Sequence, residues 1–320
     1  MIFWVDDKLF GGQSRDVDRL ALLRNAALRR HTVIISASPQ ALWDSRQAPI
    51  FDSWLSTLSP RLQAEVSLLR ERTQLVTASA IAVGANRVLV AERRPDADGC
   101  WLSLDEAARA AAEPLQVMVE HQINDAAFLR RAMPPVWRKR FEDWEGKGEI
   151  RYANGGGLSV MTALVTFFTD DNTARRCFGL PAEVWRLLHF LVFDHDGERP
   201  ETPGDQSKEL ERRCKSNGMI QRIHRLVRRD QEHYLPLEAL QSISNARVQN
   251  TVERDMLLEK LEKHFALGQA RHFVPLPRIG SDPFFKSEFV EEIAWSDDWF
   301  ERDDAWPEMT QLAERIASAI

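Results

Sequence analysis

The sequence predicts an α/β protein built on parallel sheet. Short runs rich in β-branched and aromatic residues, such as residues 2–5 and 31–36, are typical of strands. They alternate with longer segments whose apolar residues recur at helical spacing. Alternation of this kind is typical of βαβ units, in which a helix carries the chain back across the sheet. With 320 residues the chain is longer than most single domains, so we expect more than one.

The first 113 residues follow the α/β order and predict a smaller N-terminal domain, 1–113, of unknown role. Pro49 breaks a mixed segment, and Ser103 with Glu106 three residues later predicts a capping box at the start of a helix. The predicted strands are 2–5 and 31–36, and a pair of strand pieces is predicted within 80–93. The predicted helices are 16–30, 59–76 and 103–115, and the mixed segment is 41–58.

A second parallel unit is predicted over 114–245, followed by a helical and acidic extension over 246–320 that is rich in tryptophan. The extension holds Trp295, Trp299 and Trp306, and it suits either a packed cap or a docking surface. The unit's predicted strands are 115–120, 148–156 and 184–194, and its predicted helices are 124–133, 158–168 and a basic segment, 216–235.

Composition is that of an ordinary globular protein. Apolar residues make up 44% of the sequence, charged residues 28%, and the net charge is −6, so the total charge does not require a nucleic-acid partner. No stretch reaches the ~18 apolar residues of a membrane span, and the N-terminus lacks the pattern of a secretory signal. We therefore expect a cytoplasmic protein outside the membrane. Cys100, Cys177 and Cys214 are widely spaced and predict free thiols in a reducing compartment.

Acidic residues follow two predicted strands of the second unit. Glu120 ends the strand 115–120, and Asp194 and Asp196 follow the apolar run that ends at Phe193. Ligands of open parallel sheets bind outside the carboxyl ends of the strands, so we expect these carboxylates to converge if the strands are neighbours. In an extended chain residues i and i+2 face the same side, and carboxylates are the ligands that hard divalent cations prefer. The pattern predicts a metal site; the alternative is a solvated strand end.

In order, these motifs resemble the Toprim fold shared by topoisomerases, bacterial primases and OLD-type nucleases. The motifs are VMVEHQINDAAFL, NGGGLSVM and FLVFDHDGE. A fourth, RLVRRDQEHYL, resembles the Arg-rich, Glu-then-Tyr helix that follows DxD in Toprim-like nucleases found with bacterial defence ATPases. The resemblance covers about residues 114–240.

The resemblance implies a nuclease that cleaves phosphodiester bonds with Mg²⁺ or Mn²⁺, and DNA is favoured over RNA as its substrate. It implies that Glu120, Asp194 and Asp196 hold the ion and are the catalytic residues, with Asp125 as a further candidate ligand. Glu120 could instead act as a general base. Tyr152 and Tyr234 are better explained by packing, so water is the expected nucleophile. The implied setting is bacterial defence against phage or plasmids, with an ATPase as partner protein; a homo-oligomer is compatible with the sequence.

Two basic segments are candidate nucleic-acid contacts. In the predicted helix 216–235, positions 222, 225 and 229 share one face at i, i+3 and i+7, where they could follow a phosphate backbone. The alternative is a salt-bridged face that uses Asp230 and Glu232. The first segment contains Arg222, Arg225, Arg228 and Arg229, and the second contains Arg130, Arg131, Arg138, Lys139 and Arg140.

Two other signals have a structural alternative. The run Gly155, Gly156 and Gly157 allows a tight turn or a close backbone approach beside the acidic edge, and it lacks the pattern of a P-loop. Asp6 and Asp7 end the first strand and could begin a nuclease-like or receiver-like acidic pocket. The surrounding sequence fits neither pattern, so we interpret them as structural or interfacial.

A catalytically degenerate interaction or sensor protein is the alternative function. Two departures from the family favour it: His121 stands where the family has Gly after the first Glu, and Asp125 lies one residue further from Glu120 than is typical. The retained acidic residues favour the enzyme.

Overall fold

The computed structural model describes residues 1–12, 15–37, 48–74, 87–92, 100–278 and 296–320. The chain divides into two compact units. Unit 1 comprises residues 1–115, 167–188 and 320, and unit 2 comprises 116–166 and 189–319. The boundary expected after residue 113 lies next to this division. Residues 167–188, expected in the second domain, group with unit 1, and the expected extension 246–320 groups with unit 2 except for its last residue.

The strands form two four-stranded sheets with the same order, in which the first strand lies between the second and the third. Unit 1 has the order β2-β1-β3-β4 and unit 2 the order β6-β5-β7-β8. Every strand pair whose register is described is parallel, which confirms the predicted α/β class. The strands are β1 (Ile2–Asp6), β2 (Thr32–Ser36), β3 (Arg87–Val90), β4 (Cys100–Leu102), β5 (Leu115–Val119), β6 (Ile150–Asn154), β7 (His189–Phe193) and β8 (Ile223–Arg225).

Helices connect these strands and cover the sheets. Among the described residues they are α1 (Asp16–Leu28), α2 (Pro49–Thr57), α3 (Pro60–Gln74), α4 (Leu104–Ala112), α5 (Gln122–Ala132), α6 (Pro135–Gly146), α7 (Leu158–Phe168), α8 (Asp171–Cys177), α9 (Ala182–Leu188), α10 (Asp205–Ser216), α11 (Leu237–Arg247), α12 (Thr251–Phe265), α13 (Asp297–Arg302) and α14 (Trp306–Ala319). None of these described helices is long and apolar enough to cross a membrane.

Local sequence rules account for several boundaries in unit 1. The predicted capping box is confirmed: the Ser103 hydroxyl accepts from the Glu106 amide, and the Glu106 carboxylate accepts from the Ser103 amide at 2.9 Å. The apolar side chains of β1, β3, α1 and α4 form the core of the unit, with Phe3, Leu22 and Ala110 fully buried. Parts of the predicted segments 41–58, 59–76 and 80–93 lie outside the described residues, namely 41–47, 75–76, 80–86 and 93, and so does Trp295 of the extension.

Two element predictions in the second half are wrong. The run 184–194 is not one strand: its first five residues end α9, and the strand begins at His189. The run is mostly apolar, and periodicity alone cannot tell a buried helix from a buried strand. The basic segment 216–235 is not a helix either, because Ile223–Arg225 pairs with β7 as strand β8. Tertiary pairing overrides the helical spacing of its arginines.

The unit 2 sheet is buried at its centre. Phe190, Leu191 and Phe193 of β7 are at most 2% exposed, and Val117 of β5 is fully buried. Since β5 and β7 are neighbours in parallel register, with Met118 opposite Leu191, their carboxyl ends lie side by side. This register places the residues after Val119 beside those after Phe193.

Candidate carboxylate site

Glu120 and Asp194 meet at the carboxyl ends of β5 and β7. The Asp194 amide donates to Oε1 of Glu120 at 3.1 Å, so the first carboxylate is held against the backbone of the second residue. Oδ1 of Asp194 is buried and has no hydrogen-bond partner among the described residues. A buried carboxylate oxygen without a donor is costly, since it has lost its water without replacement.

Both carboxyl groups hold their protons more tightly than usual. Burial, followed by the charge of Glu120, raises the pKa of Asp194 well above its ordinary value. Burial also raises the pKa of Glu120; the hydrogen bond from the Asp194 amide opposes this, and the charges of Asp125 and Asp196 add to it. Like charges in a buried cluster cannot all ionise without a compensating cation. The pair therefore has the electrostatic character of a cation or proton site.

Asp125 belongs to this cluster although its spacing departs from the family pattern. It lies in the first turn of α5, is 4% exposed, and accepts from the His121 amide at 2.9 Å through Oδ2. Its charge raises the pKa of Glu120 and of Asp194. The Asp125 carboxyl group also has a hydrogen bond with the Gln231 side chain, so Asp125 holds the start of its helix while its charge acts on the Glu120–Asp194 pair.

Asp196 is placed differently from the prediction. The strand ends at Phe193, and Asp196 takes a left-handed backbone conformation with φ of 53°. The rule that residues i and i+2 share a side therefore does not apply. The side chain is exposed, its amide donates to the Arg229 carbonyl at 2.7 Å, and its charge reaches Glu120. Asp196 thus lies at the solvent rim of the cluster.

His195, between the two aspartates, is a packing residue. Its ring is 2% exposed and lies edge-on to Phe273, with centroids 5.3 Å apart. The Gly197 amide donates to Nδ1 at 3.2 Å, and Nε2 lies 3.1 Å from the Pro200 carbonyl. At these contacts the chain folds back sharply after DxD. The fold requires glycine at position 197, because a Cβ there would lie 2.1 Å from the Thr202 carbonyl.

The glycine run lies beside the backbone of Glu120. The Gly155 amide donates to the Val119 carbonyl at 2.6 Å, and the Gly156 and Gly157 amides donate to the Glu120 carbonyl at 3.0 and 3.3 Å. A Cβ at Gly155 would lie 2.8 Å from the Val119 carbonyl. The run therefore gives the close backbone approach that the sequence allowed, and it fixes the residue from which the Glu120 side chain projects.

Sequence reasoning missed two members of the cluster, Asp230 and Glu232. Both follow β8, the strand next to β7, and their charges help to raise the pKa of Asp194. Asp230 is also held by the ring of His233. The rule that led to Glu120 and Asp194, acid after a parallel strand, would have led to these residues had the segment been predicted as a strand.

The four arginines of the same segment do not form a helical face. Arg222 and Arg228 are buried: Arg222 donates to the Ala319 carbonyl at 2.9 Å, and Arg228 pairs with Asp303. Arg225 pairs with Glu211 and Arg229 lies 3.9 Å from Asp230, both with about a quarter of the side chain exposed. The expected contact surface is thus reduced to Arg225 and Arg229.

The second basic stretch is also largely used within the unit. Arg138 donates to three main-chain carbonyls and to Asp297, and Arg130 forms a two-bond pair with Glu145. Lys139 and Arg140 are exposed, and Arg140 lies over the ring of Trp137 at 4.6 Å.

Asp6 and Asp7 of unit 1 have structural roles. Asp7 is 1% exposed and accepts from the Ile50 and Phe51 amides at 3.0 and 2.6 Å, which places its charge at the N-terminus of α2. Asp6 accepts from the Lys8 amide. The same sheet position that carries Glu120 in unit 2 therefore serves helix capping in unit 1.

The donors of the unit 2 cluster suit a hard divalent cation, since they are carboxylates and one buried oxygen has no partner among the residues that the structure describes. In the described part of the chain, however, no three acidic, histidine or cysteine side chains are already gathered around one point as a metal requires. A cation would therefore have to draw the side chains together. Comparison with protein-family models, with curated proteins and with solved structures gives no match to this chain.

Proposed function

We propose that the chain is a divalent-metal-dependent nuclease with its site at the carboxyl edge of the unit 2 sheet. The observation that supports this most strongly is the half-buried Glu120–Asp194 pair, with a buried Asp194 oxygen that has no partner among the described residues. A purely structural buried acid would have donors for both of its oxygens, as Asp7 has in the Ile50 and Phe51 amides. The resemblance to Toprim nucleases points to the same residues.

In this proposal Glu120, Asp194 and Asp125 hold Mg²⁺ or Mn²⁺, with Asp196 at the rim. The ion supplies charge neutralisation at the scissile phosphate and lowers the pKa of bound water. Oε1 of Glu120 is occupied by the Asp194 amide, so Oε2 is the oxygen left to accept a proton or a cation. The raised pKa of Glu120 suits a group that takes up a proton during the reaction.

Two arginines beside the cluster are the proposed contacts with substrate. Arg225 and Arg229 keep solvent access beside the cluster, and both are already near carboxylates. We propose that the substrate is nucleic acid, with DNA favoured over RNA. We place this nuclease in cytoplasmic defence, with an ATPase as partner protein. In this proposal the partner controls the nuclease activity.

The test is cleavage of plasmid DNA and of total RNA in Mg²⁺ or Mn²⁺, with and without candidate ATPases. We compare wild type with Asp194→Asn and with the double variant Asp194→Ala, Asp196→Ala. Asp205→Asn is the control, since Asp205 is a fully exposed carboxylate close in sequence. We expect either variant to lose more than about 100-fold in rate, as when a group that acts in the transition state is removed.

The alternative, a degenerate interaction module, predicts a different result. Wild type would then cleave neither substrate under any condition, and Mn²⁺ would not raise its melting temperature. Stabilisation by Mn²⁺ that Asp194→Asn abolishes, together with cleavage, supports the nuclease.

A further inference from the structure

A buried hydrogen-bond network joins the loop after β8 to the C-terminal helix of unit 2. Glu308, in the first turn of α14, accepts from the Tyr234 hydroxyl at 2.5 Å through Oε2 and from the Val227 amide at 2.8 Å through Oε1. Nε2 of His224 lies 3.1 Å from the same Oε1. The Glu308 side chain is 12% exposed, so these bonds are largely protected from water.

The hydroxyl of Tyr234 makes every hydrogen bond that a phenol can make. It donates to Glu308 and accepts from the Val227 and Arg228 amides, each at 3.1 Å. Burial, followed by the charge of Glu308, raises the pKa of Tyr234 well above its ordinary value, so the proton stays on the hydroxyl. Tyr152, the other tyrosine, is buried too, but its hydroxyl has no partner among the described residues. A tyrosine kept for packing alone would resemble Tyr152.

The loop that this network holds leads directly to the carboxylates. Two residues after Val227, the Arg229 carbonyl accepts from the Asp196 amide at 2.7 Å. Asp230 and Glu232 follow in the same loop, and both charges act on Asp194. The position of this loop therefore fixes the left-handed turn of DxD and the distance of two further acids from Asp194.

We infer that Tyr234 and Glu308 are positioning residues that hold the loop 226–232 against Asp196 and so fix the spacing of the carboxylate cluster. The consequence for metal use rests on the proposed nuclease function; the consequence for the DxD backbone does not. Neither residue is a catalytic residue, since neither touches the cluster's carboxylates in the contacts described.

The first arm of the test needs no metal and no activity. We would measure hydrogen–deuterium exchange by mass spectrometry on peptides covering 194–199 and 226–230 in wild type, Tyr234→Phe and the matched control Tyr152→Phe. In Tyr234→Phe we expect the Asp196 amide to exchange about tenfold faster, the factor that one hydrogen bond to a charged group contributes. Tyr152→Phe should exchange like wild type. Unchanged protection of the Asp196 amide in Tyr234→Phe overturns the inference.

The second arm measures cleavage rate against Mn²⁺ concentration. Tyr234→Phe should raise the half-saturating Mn²⁺ concentration about tenfold, as loss of an outer hydrogen-bond partner does at metal sites, with the rate restored at saturating Mn²⁺. A lower rate at every Mn²⁺ concentration, with unchanged half-saturation, would mean a merely structural role and contradict the inference. An inactive wild type refutes the nuclease proposal instead, and the exchange arm then decides the positioning role.

Glu308→Gln provides a second, independent variant. The amide keeps the shape of the side chain but presents a donor where an acceptor is needed. We expect the same faster Asp196 exchange and the same shift in Mn²⁺ dependence. The control is Glu314→Gln, two turns further along α14 with an exposed side chain, which should change neither. Equal behaviour of the two glutamate variants would contradict the inference.

Discussion

At the scale of single residues, Asp194 combines a raised pKa with a buried oxygen that has no hydrogen-bond partner in the described part of the chain. Because the folded protein holds a proton that the unfolded chain releases, this residue's contribution to stability falls as pH rises above the ordinary aspartate pKa of about 3.9. In metal-free protein we expect Asp194→Asn to raise the free energy of unfolding by about 1 kcal/mol at pH 8, as when a buried unsatisfied group is relieved. At pH 5 the gain should be smaller.

Urea unfolding in EDTA at the two pH values measures this prediction. Asp205→Asn is the control, because that carboxylate is fully exposed at the start of α10 and should give no gain that depends on pH. An Asp194→Asn protein no more stable than wild type at pH 8 would show that the Asp194 charge is already compensated.

Buried histidines give unit 2 the opposite pH dependence. Burial, followed by the charges of neighbouring groups, lowers the pKa of His264 to about 4 and that of His272 to about 3; the neighbours are His233 and Arg271 for the first, and also Arg228 and His264 for the second. Between the folded and the unfolded pKa values, these histidines bind a proton in the unfolded chain but not in the folded protein. The stability that these histidines contribute is therefore fully present above about pH 6.5. Below that pH it is lost, by at most about 1.4 kcal/mol per pH unit for each histidine.

His264→Gln should flatten this loss, since it removes one of the rings whose pKa is lowered. The free energy of unfolding between pH 7.5 and pH 5 measures the slope. Gln269→Ala, at an exposed and uncharged side chain between the two histidines, is the control and should keep the wild-type slope. If His264→Gln keeps the wild-type slope as well, the ring is protonated in the folded protein.

At the scale of elements, the junction of β6 and α7 depends on a residue without a side chain. A Cβ at Gly155 would lie 2.4 Å from Cγ of Met161 and 2.8 Å from the Val119 carbonyl. We expect Gly155→Ala to lower the free energy of unfolding by roughly 2 kcal/mol, because the backbone holding Glu120 has to move. Gly146→Ala, where nothing lies within 4 Å of the added carbon, should be neutral or slightly stabilising. Equal chemical denaturation midpoints for the two variants would contradict this expectation.

Elements marked by a local sequence signal, such as a helix cap or apolar residues at helical spacing, could be predicted from the sequence. Elements that depend on pairing with another strand could not. Ser103 with Glu106 specifies a helix start by itself, and α7 lies where its apolar residues predict it. The segment that contains β8 has arginines at helical spacing but is a strand, because residues 223–225 find the free edge of β7. The site followed the same division: Glu120 and Asp194 end apolar strands, whereas Asp230 and Glu232 follow a strand that only the sheet reveals.

At the scale of the whole molecule, two sheets of identical order put their acids to different uses. In each sheet the first strand is central, and its carboxyl end lies at the point where the chain turns to opposite sides of the sheet. In unit 1 that end carries Asp7, whose charge is satisfied by two amides of α2. In unit 2 it carries Glu120, which has one amide and several like charges as neighbours. Topology provides the position, and the local donors decide whether it is a cap or a candidate site.

One buried carboxylate, Asp303, connects segments of unit 2 that are far apart in sequence. Asp303, after α13, pairs with Arg228 and with Arg271, its side chain is 8% exposed, and its carbonyl accepts from Arg228 at 2.7 Å. Asp303→Asn leaves two buried guanidinium groups without their counter-charge. We expect the free energy of unfolding to fall by about 3–5 kcal/mol, the cost of breaking a buried ion pair from one side. Chemical denaturation of the full chain measures it.

The control for this prediction is an ion pair that water already screens. Glu259 and Lys263 pair on the outside of α12 with most of each side chain exposed, so Glu259→Gln should leave the unfolding curve unchanged. If Asp303→Asn also leaves the curve unchanged, water reaches Arg228 and Arg271 in the folded protein. A large loss would instead show that residues 75 apart in sequence are joined by charge, in the same segment that supports the carboxylate cluster.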